Sequence, residues 1–346
     1  MVKVGVIGCG KIAITRHLPE YASNPDAEIA GVYDFNLERA KEVAEQYQTR
    51  AYESVEEMLN DPQIEAVSVC VRNSDHSKVT VDALRAGKHV LCEKPMAVSL
   101  DECKEMVKTA EKTGKKLMIG HNQRFNRTHM KAKELIQNGA IGKVLSFKTT
   151  FGHGGPETWT VDKKNVWFFD KRFSAFGAMA DLGVHKTDLL IFLLETKVKK
   201  VTAVLKTLDK KDAEGNLINV DDNAICIYEM ENGAVGTMTA SWTYYGEEDN
   251  STIIYGSEGI LKIYDDPNYS IVQIGKDGTK IYYELDKMQT NDNQTKSGII
   301  DSWVAAIKND TVPEVNGKDA LDAMKAIFAA SESSESGQTV EITEED

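Results

Sequence analysis

The sequence predicts an α/β chain of two unlike halves, on three observations. Over residues 1–121, short β-forming apolar runs alternate with helical patterns. A glycine-rich turn joins the first of these runs to the first helix. Beyond residue 121 the runs become neighbours, joined by Asn/Gly turns rather than by helices. Strand–helix alternation calls for a doubly wound parallel sheet, whereas adjacent strands on short turns call for a mostly antiparallel sheet in an α+β half. At 346 residues the chain is long for one core, and we divide it into domains 1–121 and 122–346.

Residues 2–7 (Val-Lys-Val-Gly-Val-Ile) form a β-rich run that leads into Gly8-Cys9-Gly10-Lys11-Ile12-Ala13 and then a helical pattern. G-x-G-x-x-A between a strand and a helix is the context a dinucleotide fingerprint needs. Gly8 permits the tight turn, Gly10 lets backbone approach a pyrophosphate, and small Ala13 lets the helix pack on the strand. The helix start at Lys11 and Ile12 then offers free N–H groups and a positive dipole end to the phosphates. Gly5 to Ile12 also reads G-x-x-x-x-G-K-I, but a P-loop needs Ser or Thr where Ile12 stands, which excludes a nucleotide triphosphatase.

A second strand at 27–33 delivers Asp34, 21 residues after Ala13, close to the separation expected for the acid that binds the adenosine ribose. A carboxylate there accepts from the 2′-hydroxyl and repels a 2′-phosphate, so NAD is favoured over NADP. Arg39, one helical turn on, keeps NADP as the alternative. Ser54-Val-Glu-Glu57 resembles a capping box. The apolar run 64–71 reads as a buried parallel strand. It ends in Arg72-Asn73-Ser74-Asp75-His76, which we read as a polar ligand loop. A helix to about Gly87, a strand from Val90, a helix at 100–113 and a strand at 116–119 complete a six-stranded unit.

The strand from Val90 breaks off in Cys92-Glu93-Lys94-Pro95-Met96. Pro95 lacks a backbone donor and pushes Lys94 towards an extended conformation, so the strand stops there. Glu93 and Lys94 are thereby placed at the edge where open α/β sheets bind ligands. Taken alone, the two fit a strand-closing salt bridge as well as they fit a working pair.

In the second half, runs at 143–151, 198–208, 224–230, 235–242 and 252–255 read as strands, and helices are expected near 179–195, 299–308 and 319–333. Asp181, His185 and Asp188 are spaced i, i+4, i+7 and share one helix face beside a buried apolar segment. Histidine, with an unperturbed pKa of ~6.5, suits proton transfer near neutrality, and a carboxylate one turn away can orient it. A solvated polar face at a helix start is the rival reading. Metal ligation is disfavoured because no H-E-x-x-H or cysteine set is present.

Composition narrows the partners. Net charge is −13 with no basic block, which disfavours nucleic-acid and anionic-membrane roles. Hydrophobic content of 41% and charged content of 27% are those of a globular chain. The five cysteines are scattered and lack a C-x-x-C pair, so they read as small core residues in a reducing, cytoplasmic setting. The N-terminus enters a strand without signal-peptide architecture, and the apolar run 189–194 is too short to span a bilayer.

Together these residues resemble the Gfo/Idh/MocA family, named after glucose–fructose oxidoreductase and inositol dehydrogenase. The resemblance covers nearly the whole length. It rests on Gly8-Cys-Gly-Lys-Ile-Ala13, Asp34, His76, Gly87-Lys-His-Val-Leu-Cys-Glu-Lys-Pro95 and Asp181-Leu-Gly-Val-His185-Lys-Thr-Asp188. It implies a Rossmann domain followed by a substrate domain whose open sheet makes dimer or tetramer contacts. It also implies an NAD-dependent dehydrogenase acting on a ring hydroxyl of a sugar or cyclitol. Lys94 would touch both the nicotinamide ribose and the substrate hydroxyl; His185 would be the acid/base, and Asp181 would bind substrate and steady His185. Asn73 and His76 would lie beside the nicotinamide, with Glu93 nearby and a cis peptide at Pro95.

The substrate pocket is expected to draw on Gln123, Arg124, His153, Trp167 and Tyr244. Two rivals are an NADPH-dependent sugar carbonyl reductase and a non-catalytic NAD- or sugar-sensing regulator. The regulator reading predicts loss of Lys94 or His185, and both are present. Gly177-Ala-Met-Ala180, Arg72-Asn73 and Asn122-Gln123-Arg124 depart from the family's usual glycine run, Pro-Asn and paired arginines, which leaves the identity of the sugar open.

Overall fold

The computed structural model describes residues 1–161, 166–287 and 296–343. Six strands make the first sheet: β1 (Val2–Ile7), β2 (Ala27–Tyr33), β3 (Arg50–Ala51), β4 (Ala66–Val69), β5 (His89–Cys92) and β6 (Leu117–Ile119). Every pairing is parallel, in the order β3-β2-β1-β4-β5-β6. The chain winds outward in both directions from the β1/β4 junction, so a crevice opens beyond the carboxyl ends of those strands. All four residues of β4 are buried, as expected of a strand covered on both faces.

Local chemistry sets the element ends. Ser54 Oγ accepts from the Glu57 N–H at 3.0 Å, and Ser99 Oγ accepts from the Glu102 N–H at 3.3 Å. Gly114, at φ +66°, closes the helix Leu100–Thr113 in the left-handed conformation.

The second sheet has nine strands: β7 (Val144–Gly152), β8 (Val198–Lys206), β9 (Asn223–Met230), β10 (Val235–Ser241), β11 (Thr252–Gly256), β12 (Gly259–Ile263), β13 (Ile271–Gly275), β14 (Lys280–Tyr283) and β15 (Val340–Glu341). Their order is β14-β13-β12-β11-β7-β10-β9-β8-β15. The turns at Glu231-Asn-Gly233 and Gly256–Gly259 do join antiparallel neighbours. One pairing departs from that pattern: β7 lies parallel to β10, because β8 and β9 are added before the chain returns to β7's side. The sheet is therefore mixed, though mostly antiparallel.

The C-terminal chain returns to the first half. Helix Ile299–Lys308 packs on β1 and on helix Leu18–Ser23, while helix Gly317–Ser336 lies on β8 and also meets β6 and helix Leu100–Thr113. All five cysteines are buried and free. Among the described residues no helix is long and apolar enough to cross a membrane.

One expected loop is not a loop. Asn73 opens the helix Asn73–Arg85, so Asn73, Asp75 and His76 stand in its first turns. Asn, Ser and Asp favour turns and helix starts alike, and here Arg72 in an extended conformation leads directly into the helix.

Candidate active site

A cavity of about 1170 Å³ runs along the crevice, from Asp34 at one end to His185 at the other. At the first end Gly8 has φ +97°, and a Cβ there would stand 2.4 Å from the Cys70 carbonyl oxygen, so only glycine fits. A Cβ on Gly10 would meet nothing within 4 Å, which leaves the turn open for a ligand to approach. Lys11 and Ile12 line the same end and lead into a π turn over Ala13–His17. Asp34 accepts from the Cys9 N–H through Oδ2 (2.8 Å) and from the Asn36 N–H through Oδ1 (2.9 Å), with Arg39 Nη1 3.5 Å from Oδ1. A carboxylate fixed in this way still has lone pairs free for ribose hydroxyls.

Beyond β5 the Lys94–Pro95 bond is cis. Lys94 Nζ reaches across to the second half and donates to Asp181 Oδ1 (2.9 Å) and to the Asp181 carbonyl (2.8 Å). Asp181 sits in a π turn, Met179–Gly183, that runs into helix Val184–Leu194. The Asp221 carboxylate holds the start of this segment, accepting from the Gly177 and Met179 N–H groups at 2.8 Å each. A Cβ on Gly177 would lie 1.8 Å from the Asp221 carbonyl oxygen, so this one glycine of the altered run is required.

Burial pushes the Asp181 carboxyl up, but Lys94, His153 and the Trp242 indole, which donates to Oδ2 at 3.1 Å, hold it below the usual carboxylate range. His185 is 8% exposed, and its Nδ1 has no hydrogen-bond partner among the described residues. Burial, and then the positive charge of Lys94, hold its pKa well below the usual histidine value, so the imidazole is neutral and ready to accept a proton. His153 takes the Gly155 N–H on Nδ1 (2.9 Å), leaving Nε2 to carry its proton.

Glu93 is not paired with the Lys94 side chain. Its Oε1 accepts from His17 Nε2 (2.8 Å) and its Oε2 from the Lys94 backbone N–H (3.2 Å). Burial opposes ionisation, yet His17, Arg16 and Lys94 together hold this carboxyl down at about 2. His17 continues to Ser68 Oγ (3.1 Å) and from there to Tyr21 Oη (2.8 Å), a buried chain beneath the cavity floor. His76 also lines the cavity, but its Nδ1 lies 2.7 Å from the Pro95 carbonyl and its Nε2 3.2 Å from that of Val71. Asn73 Nδ2 donates to the Ser174 carbonyl at 3.2 Å. Gln123, His153 and Trp167 stand on the cavity wall, and Trp167 is stacked on Phe168 at 3.8 Å.

Three expectations fail here. Arg124 is outside the cavity: it grips Asp188 through Nε (2.8 Å) and Nη2 (2.6 Å) in a buried bidentate pair. Tyr244 is also outside, with its ring packed over Gly152. Asp181 makes no hydrogen bond to His185: its Oδ1 accepts from Lys94 and its Oδ2 from the Trp242 N–H. His17 and Trp242, the unforeseen partners, carried no sequence signal of their own, being one polar residue among several in a helical turn and the end of a strand pattern.

With this geometry in hand, comparison places the chain. Residues 2–121 match an oxidoreductase family with an NAD-binding Rossmann fold, and residues 129–262 match the GFO/IDH/MocA C-terminal domain. The chain belongs to the Gfo/Idh/MocA family. It is accordingly an oxidoreductase with an NAD-binding half. Within this family it is 26% identical to a myo-inositol 2-dehydrogenase of Thermotoga maritima, over 99% of both chains. It is 33% identical to a glucose-6-phosphate 3-dehydrogenase of Bacillus subtilis, over 67% of this chain and 65% of that one. Among solved structures, an aldose-aldose oxidoreductase of Caulobacter crescentus superposes with a TM-score of 0.84 at 25% identity, covering 98% of this chain and 99% of the other. Gfo/Idh/MocA membership accounts for the Rossmann sheet joined to the mixed nine-stranded sheet.

Proposed function

We propose that this oxidoreductase acts on the CH–OH groups of a sugar or cyclitol ring, with NAD favoured as the cofactor. One observation carries the reading: Lys94 from the end of β5 and Asp181 and His185 from the second half converge in the cavity that also holds the glycine turn and Asp34. The fit to a dinucleotide rests on the open space at Gly10 and on the fixed Asp34 carboxylate. Bound there, the nicotinamide would supply the hydride acceptor. His185, neutral and unpaired at Nδ1, takes the proton of the reacting hydroxyl. Lys94, with one of its three N–H bonds left over, holds that hydroxyl oxygen and polarises the carbonyl in the reverse direction. Asp181 keeps Lys94 aimed, and His153 presents an N–H towards the same end.

The test follows NADH absorbance with inositols, aldoses and sugar acids at saturating NAD⁺. Turnover on at least one is expected, and His185→Ala should lower kcat by roughly 10²–10⁴-fold while sparing NADH binding. Near-full kcat in that variant across pH would remove His185 from the chemistry. We further propose self-association through the second sheet. Val204, Ile225, Ile227 and Val235 are exposed and, by the pairing of β8, β9 and β10, lie on one side, a patch of the kind that a second copy covers. Light scattering on Ile227→Lys should then report a smaller particle than the parent's; an unchanged mass would locate the contact elsewhere.

A further inference from the structure

Asn250 lines the cavity without a part in the proton transfer or the hydroxyl contact proposed above. It is 6% exposed and lines the same cavity as His185 and Lys94, and its Oδ1 has no hydrogen-bond partner among the described residues. Its backbone is held from two sides. Asp249 and Gly152 exchange both of their backbone hydrogen bonds (2.7 and 3.0 Å), and the Ser251 carbonyl accepts from the Thr150 N–H at 3.0 Å. In an antiparallel ladder the intervening residue turns its own backbone groups the other way.

On that other side Lys186 Nζ donates to the Asn250 carbonyl at 2.9 Å and to Thr252 Oγ1 at 3.2 Å. Lys186 directly follows His185 and is fully buried. Burial pushes its amine down to about 7, although the Glu248 and Asp249 carboxylates oppose this. Burying an ammonium is costly, and neither the proton transfer nor the hydroxyl contact proposed above uses this one. What it does reach is the residue with the orphaned carboxamide.

We propose that Asn250 is a specificity-determining contact for the substrate, and that Lys186 is the positioning residue that seats it. The helix carrying the acid/base thus also sets the strand end that reads the substrate's remaining hydroxyls. A carboxamide offers both acceptor and donors, the complement of vicinal hydroxyls, which both give and accept. The inference rests on the sugar or cyclitol reading of the site.

A double-mutant cycle tests it, using the full chain and the best substrate of the panel above. Asn250→Ala should raise the sugar KM by about 10-fold, the usual consequence of losing one hydrogen bond, with kcat within about 3-fold and NADH affinity unchanged. Lys186→Met should do the same, and the double variant should be no worse than Asn250→Ala alone, because the lysine acts through the asparagine. Thr252→Val leaves the lysine in place but removes one of its acceptors, and should move KM in the same direction by less. Independent, multiplying effects of Lys186→Met and Asn250→Ala would overturn the positioning role. An unchanged KM in Asn250→Ala would overturn the contact. A joint fall of kcat and NADH affinity in Lys186→Met would make the lysine a support of the fold. A parent chain that turns over none of the panel would bring down the sugar reading and this inference with it, an outcome distinct from an active parent with an additive cycle.

Discussion

Asp181 and Asp188 stand seven residues apart on one continuous helical segment, and each holds a cation delivered from beyond a strand of the first sheet. Lys94 comes from beyond β5 and Arg124 from beyond β6. The Arg124 and Asp188 side chains are 6% and 1% exposed and meet through two parallel hydrogen bonds. The Lys94 side chain is 17% exposed and spends one bond on the Asp181 carboxylate and one on its carbonyl. The Arg124 fork meets its carboxylate in two parallel bonds away from the cavity, whereas the Lys94 ammonium lines the cavity and keeps a proton to aim into it. The same pairing of charges is therefore closed architecture at Arg124 and an open site at Lys94. The difference lies in burial and in the geometry of the cation.

Substitution of each cation should separate the two. Lys94→Ala should lower kcat by roughly 10²–10⁴-fold with a smaller change in Tm, since its loss removes the hydroxyl contact while the Asp181 carboxylate still lines the cavity and keeps the Trp242 N–H. Arg124→Ala should instead cost about 3–5 kcal/mol of stability by stranding a buried carboxylate, measured by denaturant unfolding. The molecules that still fold should keep their sugar KM. Equal stability losses for the two variants would erase the contrast.

A smaller effect links the open pair to His185. With its pKa held well below 6.5, His185 is the needed base over most of the pH range, and activity is lost only as pH falls through that lowered value. The acid limb of kcat/KM for oxidation should lie below pH 6.5. The Lys94 charge is the second cause of the lowering, so Lys94→Met should move the limb upward, as measured on its residual activity. A limb that stays in place would mean that burial alone sets it.

Much of this was legible along the chain. The glycine turn, Asp34, the strand that stops before Pro95 and the helix Ile299–Lys308 all follow from residue types a few positions apart. Arg72 to His76 misled because Asn, Ser and Asp serve loops and helix starts equally. Arg124 misled for another reason: an arginine next to a predicted ligand edge is as suited to a carboxylate of the fold as to a substrate, and its partner lies 64 residues away. Glu93 was open in the sequence, and its partner His17 lies 76 residues back.

The sequence by itself determined what depends on neighbours: alternation of strand and helix, the glycine-rich turn after β1, the helix bearing Asp181, His185 and Asp188, and the lysine at the end of β5. Only the tertiary structure decided which carboxylate meets which cation, that Asp181 serves Lys94 and not His185, and that β7 runs parallel to β10. Periodicity and turn chemistry act over one or two turns of chain. The strength of an ion pair or an orphaned polar atom depends on burial and on partners brought from afar by folding.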